Sequence, residues 1–174
     1  MLFEFNGKKP KTGKGTFVSD TATVIGDVKI GDNCYIGHNA VLRGDYGSIE
    51  IGDNTAIEEC SVVHTSPNEK CRIGKNVMIS HGVMLHSKYI GSNSTIGIGS
   101  VLSLGSQVGQ NSIVAEGCVV KMDQTVPEGL VVTGNPAKIT RKVEQNDIDK
   151  IKLGREYYLN LTKQMVEGGL KEIK

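Results

Sequence analysis

Residues 90–120 read IGSNSTIGIGSVLSLGSQVGQNSIVAEGCVV, and this stretch decides the fold. An aliphatic residue stands at every sixth position, and glycine often follows it. A helix face repeats every 3.6 residues, so a period of six excludes an amphipathic helix here. The period fits a short strand followed by a turn, coiling into a solenoid of parallel strands.

The six-residue period begins well before this stretch and is interrupted in three places. Residues 47–50 and 64–72 are insertions, and the step from Leu85 to Ile90 is five residues instead of six. We predict that the aliphatic residues line one continuous core in four runs: Val18, Val24, Ile30, Ile36 and Leu42; Ile51, Ile57 and Val63; Ile73, Ile79 and Leu85; and Ile90, Ile96, Leu102, Val108, Val114 and Val120.

The composition of the 174 residues excludes several classes of function. Twenty Lys and Arg against nineteen Asp and Glu leave a net charge of +1, which disfavours an electrostatic nucleic-acid binder. No apolar run approaches the ~18 residues of a membrane span, and the first residues do not resemble a signal peptide. We therefore expect a cytoplasmic protein without nucleic-acid or membrane partners, and we expect its four cysteines to be thiols.

The chain divides into two parts. Residues 1–142 are predicted to form the solenoid, and residues 143–174 a C-terminal helix that packs on it. Ile148, Ile151, Tyr158, Leu161 and Met165 follow one helix face. Asn146 is the predicted N-cap, and Gly168-Gly169 is predicted to end the helix.

Two histidines are predicted to be neighbours in space. If three six-residue units make one coil and each interruption is a longer turn, Leu42, Val63 and Leu85 lie on one face of the prism. The residues that follow them, Arg43, His64 and His86, then form a column with a rise of about 4.8 Å per coil. Two imidazoles at this separation can share a metal ion.

A third histidine lies on a different face. His81 is two residues after Ile79 and shares a column with Glu59 and His38. It can meet His64 and His86 only if a second prism packs its third face against the first face of this one. Repeated about a threefold axis, that contact closes a homotrimer with three sites between subunits.

The repeat resembles the hexapeptide-repeat family, which implies a mainly β fold, a left-handed parallel β-helix. A closer resemblance is carried by Val41-Leu42-Arg43-Gly44-Asp45, Val63-His64 and Ser80-His81-Gly82-Val83-Met84-Leu85-His86. These segments resemble the γ-class carbonic anhydrase family over residues 18–142. The resemblance implies a trimer that hydrates CO₂ to bicarbonate. It also implies Zn²⁺, replaceable by Fe²⁺ or Co²⁺, bound by His64 and His86 of one subunit and His81 of the next.

The resemblance also assigns roles to residues around the metal, and here the chain departs from the family pattern. Arg43 and Asp45 match the interface ion pair of the family. Glu58 and Glu59 replace the usual Gln-Asp pair, so Glu58 places a carboxylate where an amide is common, and Glu59 is a candidate for orienting a ligand. The acidic proton-shuttle loop is absent, which leaves Glu58 and Tyr46 as shuttle candidates and is consistent with a slow rate or none.

Two other functions remain open. Hexapeptide proteins often bind coenzyme A between prisms, so acyl transfer or acyl-CoA thioester hydrolysis is the first alternative. Transferases of this fold use one histidine as general base and need no metal, which three converging histidines disfavour. The second alternative is a non-catalytic, metal-binding scaffold. His38 is interpreted as a surface or interface residue rather than a ligand.

Overall fold

The computed structural model describes residues 1–171 and 173. Twenty strands, most of them only two residues long, are followed by one helix, α1 (Gln145–Val166). The strands are β1 (Leu2–Phe3), β2 (Lys11–Thr12), β3 (Phe17–Val18), β4 (Thr23–Ile30), β5 (Tyr35–Ile36), β6 (Val41–Ile51), β7 (Ala56–Ile57), β8 (Val62–His64), β9 (Lys70–Ile73), β10 (Met78–Ile79), β11 (Met84–Leu85), β12 (Tyr89–Ile90), β13 (Thr95–Ile96), β14 (Val101–Leu102), β15 (Gln107–Val108), β16 (Ile113–Val114), β17 (Val119–Val120), β18 (Thr125–Val126), β19 (Leu130–Thr133) and β20 (Lys138–Lys142). The predicted fold class, a parallel β-helix with a C-terminal helix, is confirmed.

The strands stack into three faces of a prism. The first face contains β8, β11, β14 and β17, and the second contains β9, β12, β15 and β18. The long strands β4 and β6 join these two faces. The third face contains β3, β5, β7, β10, β13, β16 and β19, with β20 antiparallel at its end. Leu42 pairs with Val63 and Val63 with Leu85 on the first face, as predicted.

The core is one continuous cluster of mainly aliphatic side chains, contributed by all three faces, that runs along the prism axis. Every predicted repeat residue from Val24 to Val120 is buried, and Val18 packs against this core partly exposed. Each fully buried aliphatic side chain contributes about 1.5–3 kcal/mol. The repeat continues for two further six-residue steps after Val120, to Val126 and Val132, which were not predicted. Both residues are also buried.

One column of turns is built by asparagines in the left-handed region of backbone conformation. Asn33, Asn54, Asn76, Asn93 and Asn111 have φ between 53° and 61°. Asparagine tolerates this conformation better than most residues. The side-chain amide of each of the first four donates to the Oδ1 of the next asparagine at 3.1–3.4 Å. The ladder thereby links successive coils through their side chains.

Helix α1 lies against the third face of the prism. The rings of Tyr158 and Tyr35 are 5.2 Å apart, and Gly154 lies close to the Met78 side chain. Arg155 donates to the Asn93 Oδ1 and to the Asn76 carbonyl, both at 3.2 Å. These contacts fix the helix on the outer surface of this face.

The start of the helix differs from the prediction. Glu144, not Asn146, is the N-cap, and Asp147 completes a capping box by accepting from the Glu144 backbone N–H at 2.9 Å. The prediction was wrong because a carboxylate three residues into the helix can reach back to the cap. The predicted boundary after residue 142 falls between β20 and α1, and residues 172 and 174 of the predicted second part lie outside the described residues. Within the described residues, no helix has the length and apolarity to cross a membrane.

Candidate metal centre

His64 and His86 are neighbours on the first face of the prism. β8 ends at His64, which pairs in register with Arg43 of β6. His86 directly follows β11, the next strand on this face. The two imidazole centroids are 4.9 Å apart and the ring planes make an angle of 77°. The predicted column of Arg43, His64 and His86 is therefore present.

Arg43 and Asp45 pair within one chain. The Arg43 Nη1 donates to the Asp45 Oδ2 at 2.8 Å, and the Tyr46 backbone N–H donates to the Oδ1 at 2.9 Å. Burial opposes ionisation of Asp45, but the Tyr46 N–H and the Arg43 guanidinium outweigh it and hold its pKa below the usual value. A carboxylate that is ionised at neutral pH therefore lies beside His64.

The two stacked histidines have the chemistry that a metal ion requires. The Nε2 of His64 is buried and has no hydrogen-bond partner in the part of the chain that the structure describes. It lies 3.4 Å from the Asp45 Oδ1, but in a geometry that makes no hydrogen bond. Burial, followed by the nearby His64 and Arg43, lowers the pKa of His86, so that its ring is neutral at neutral pH. A neutral imidazole and a buried, unsatisfied ring nitrogen fit metal ligation.

The other nitrogen of His64 has a partner. The Arg43 Nη2 lies 3.3 Å from the His64 Nδ1, and because a guanidinium can only donate, Nδ1 accepts this hydrogen bond. A neutral ring then carries its proton on Nε2. Ligation of a metal through Nε2 therefore requires Arg43 to release Nδ1.

His81 lies between two carboxylates on the turn that joins the third face to the first, which we call the His81 edge. Its Nδ1 is 2.9 Å from the Glu59 Oε2, and its Nε2 is 3.2 Å from the Glu58 Oε2. Its side chain is 47% exposed. Among the described residues of one chain, no three His, Cys, Asp or Glu side chains are close enough to bind one metal ion.

The two carboxylates have opposite electrostatic behaviour. Glu58 is buried and its Oε1 has no hydrogen-bond partner among the described residues. Burial raises the pKa of Glu58, although the nearby His81 opposes this. Burial also opposes ionisation of Glu59, but the hydrogen bond from Tyr35 and further contacts outweigh it, so the pKa of Glu59 is lowered.

Helix α1 bears on the predicted contact between copies. It covers the end of the third face that contains β3 and β5, so a neighbour that packs its first face against this face has to accommodate α1. The accessible feature beside it is the His81 edge. Any contact that brings His81 to a second copy has to be made through this edge.

The remaining predicted residues lie at the margin of the site. The Tyr46 side chain is exposed and its ring packs edge-on against Phe5, with centroids 6.1 Å apart. The His38 Nδ1 lies 2.7 Å from the Ser19 hydroxyl. The sequence reading missed Tyr35, whose hydroxyl donates to the Glu59 Oε1 at 2.7 Å. The one feature of the sequence that could have indicated this contact is the position of Tyr35 on the third face, one coil before Glu59.

Comparison with known proteins agrees with this architecture. Residues 9–44 match the family "Bacterial transferase hexapeptide (six repeats)", and residues 89–121 match "Hexapeptide repeat of succinyl-transferase". A carbonic anhydrase from Geobacillus kaustophilus is 35% identical over 90% of this chain and 87% of its own length. The chain is a hexapeptide-repeat protein. Within that class it belongs to the γ-class carbonic anhydrase-like family.

Solved structures share the fold over nearly the whole chain. A hexapeptide transferase family protein from Anaplasma phagocytophilum has a TM-score of 0.88 and 33% identity, covering 94% of this chain and 96% of the other. A proposed acetyltransferase from Bacillus cereus has a TM-score of 0.91 and 28% identity, covering 95% and 96%.

Proposed function

We propose that this protein catalyses the reversible hydration of CO₂ to bicarbonate at a metal site shared between copies of the chain. His64 and His86 of one copy and His81 of another would hold Zn²⁺, for which Fe²⁺ or Co²⁺ can substitute. The observation that carries the proposal is the His64–His86 pair, with one ring nitrogen buried and unsatisfied. The similarity to a carbonic anhydrase supports the reaction.

Three neutral imidazoles suit this chemistry. When bound, Zn²⁺ supplies hydroxide at neutral pH, because it lowers the pKa of water to about 7. Three protein ligands leave a fourth position open for solvent or substrate. The lowered pKa of His86 keeps that ring available as a neutral ligand.

The residues around the histidines would orient ligands and accept protons. Asp45 stays ionised and lies beside the His64 Nε2, and the Arg43 guanidinium, once it has released the His64 Nδ1, would still hold the Asp45 carboxylate in place. Glu58 has a free Oε1 and a raised pKa, so it can accept the proton that hydration releases. Tyr46 is a weaker shuttle candidate because its side chain points to solvent beside Phe5.

A homotrimer would complete the site. The residue before each core aliphatic on the first face is apolar, and this column runs beside Arg43, His64 and His86. Met84 and Val101 in this column are 43% and 37% exposed. A second copy placing its His81 edge against this face would cover the apolar column and supply the third ligand.

Metal content and CO₂ hydration, measured together on anaerobically purified protein, test the proposal. We expect about one metal ion per chain, since a trimer has three interfaces, and a measurable hydration rate. His81→Ala should lose both, whereas His38→Ala, in the same column two coils away, should keep both. Protein without metal would contradict the proposal, and metal without any hydration would favour a scaffold or another reaction.

Acyl transfer or thioester hydrolysis is the second candidate function. It is supported by the similarity to the hexapeptide transferase family protein and to the proposed acetyltransferase. Both reactions require affinity for an acyl-CoA. Calorimetry with acetyl-CoA, followed by a thiol-release assay, separates the candidates, because a carbonic anhydrase would show neither binding nor release.

A further inference from the structure

We infer that Tyr35 is a positioning residue for His81, acting through the carboxylate of Glu59. The link consists of a hydrogen bond from Tyr35 to Glu59 and an ion-pair contact from Glu59 to His81, and it joins the third face to the His81 edge. The inference deepens the proposed function. It rests on that proposal only for the statement that the His81 imidazole binds a metal ion. The orientation of the ring itself can be tested without any metal.

The three side chains form a continuous chain of short contacts. The Tyr35 hydroxyl donates to the Glu59 Oε1 at 2.7 Å. The other oxygen, Oε2, lies 2.9 Å from the His81 Nδ1. Both distances are within the range of strong hydrogen bonds to a charged acceptor. Both oxygens of Glu59 therefore have a partner: the Tyr35 hydroxyl contacts Oε1 and the His81 Nδ1 contacts Oε2.

Tyr35 is a rigid anchor for this chain of contacts. Its side chain is 2% exposed. Its ring stacks on Phe17 with centroids 5.5 Å apart and packs against Tyr158 of α1 at 5.2 Å. Burial, followed by the hydrogen bond to Glu59, raises the pKa of Tyr35, so the hydroxyl remains a donor at any physiological pH. The helix thereby contributes to the site by enclosing this ring.

Fixing Glu59 determines which nitrogen of His81 carries the proton. An ionised carboxylate can only accept, so the 2.9 Å ion-pair contact favours a proton on Nδ1. A neutral ring then presents the Nε2 lone pair, the nitrogen that a metal would use. The competing carboxylate, Glu58, lies further away, 3.2 Å from Nε2. Without Tyr35, Glu59 could rotate away, and the preference between the two tautomers would weaken.

Tyr35→Phe tests this inference because it removes one oxygen and keeps the buried ring. Tyr89→Phe is the matched control, since Tyr89 lies on the second face and is 40% exposed. Ring ¹⁵N NMR of His81 is recorded on metal-free protein at a pH where the ring is neutral. We expect a proton on Nδ1 in the wild type and in Tyr89→Phe, and a mixture of tautomers in Tyr35→Phe.

Metal affinity provides a second measurement. Removing a group that orients a ligand costs 10–100-fold in affinity, so we expect Tyr35→Phe to weaken Co²⁺ binding by about tenfold. Glu59→Gln breaks the same link without altering the buried ring and should also mix the tautomers. An unchanged Nδ1 tautomer in both variants would overturn the inference. Wild-type protein that binds no Co²⁺ would refute the proposed function instead, while the tautomer measurement would still decide the role of Tyr35.

Discussion

Two inactive variants should restore each other if the metal site is shared between copies. A His64→Ala chain can contribute only an intact His81, and a His81→Ala chain only an intact pair of His64 and His86. In rings assembled at random from equal amounts of the two, about a quarter of the interfaces join the two intact halves. We therefore expect the mixture to recover about a quarter of the wild-type metal content and CO₂ hydration rate per chain.

The assay is co-refolding or co-expression of the two chains with different tags, followed by purification of the mixed assembly. Each variant alone should contain almost no metal. A mixture of His64→Ala with His86→Ala is the control, because no interface between these chains contains both His64 and His86. Recovery in the control, or none in the first mixture once mixed assemblies are verified by mass spectrometry, would refute a site built from two copies.

Three further predictions concern the fold and the thiols. Gly91→Ala should lower the free energy of unfolding by about 1–3 kcal/mol, because the added Cβ would lie 2.2 Å from the Gln110 backbone nitrogen. Gly117 has a φ of 61° and open space around it, so Gly117→Asn should change the free energy of unfolding by no more than about 0.5 kcal/mol. Equal shifts of the urea midpoint in Gly91→Ala and Gly117→Asn would contradict this prediction. Asp147 accepts hydrogen bonds, the largest effect coming from an arginine side chain, that hold its pKa at about 2 instead of 3.8. Its contribution to α1 is therefore present above pH 4 and is lost as the pH falls through about 2. Hydrogen exchange of α1 in Asp147→Asn should be faster than in the wild type at pH 5, and most of this difference should be gone at pH 2. Iodoacetamide at pH 8 should modify Cys60 alone in the folded protein, because burial raises the pKa of the other three thiols, and all four should react in urea; mass spectrometry after digestion identifies the modified sites.

The sequence was sufficient to predict the core and the stacking of the first-face histidines. In a solenoid each coil repeats the environment of the previous one, so a local period determines which side chains are buried and which share a column. Counting coils through the insertions therefore placed His64 beside His86 correctly. Contacts that do not repeat were outside the reach of this reasoning.

Tyr35 and the position of α1 illustrate that limit. The hydroxyl of Tyr35 reaches Glu59, 24 residues later, because a long side chain on the third face extends towards the next coil. The sequence period gives the column of Tyr35 but not the direction of its side chain. The face covered by α1 depends on single contacts, such as Tyr158 with Tyr35 and Arg155 with the asparagine ladder. None of these contacts follows a period.

The places where the repeat is interrupted fit the proposed sharing of the site. All three interruptions fall between the first and second faces, after Leu42, Val63 and Leu85. Their residues bind one another locally: Asn68 donates to the Tyr46 carbonyl at 3.0 Å, and Lys88 pairs with Glu69 at 3.2 Å.

The His81 edge, by contrast, keeps strict six-residue spacing on both sides from Ile51 to Val63 and from Ile73 to Leu85. An insertion there would displace His81 from the edge that, in the proposed function, meets a second copy. An insertion on the opposite side of the first face changes only the surroundings of His64 and His86. The interrupted edge is thus the one at which a change in length leaves the position of His81 unaltered, which is compatible with the proposed sharing of the site.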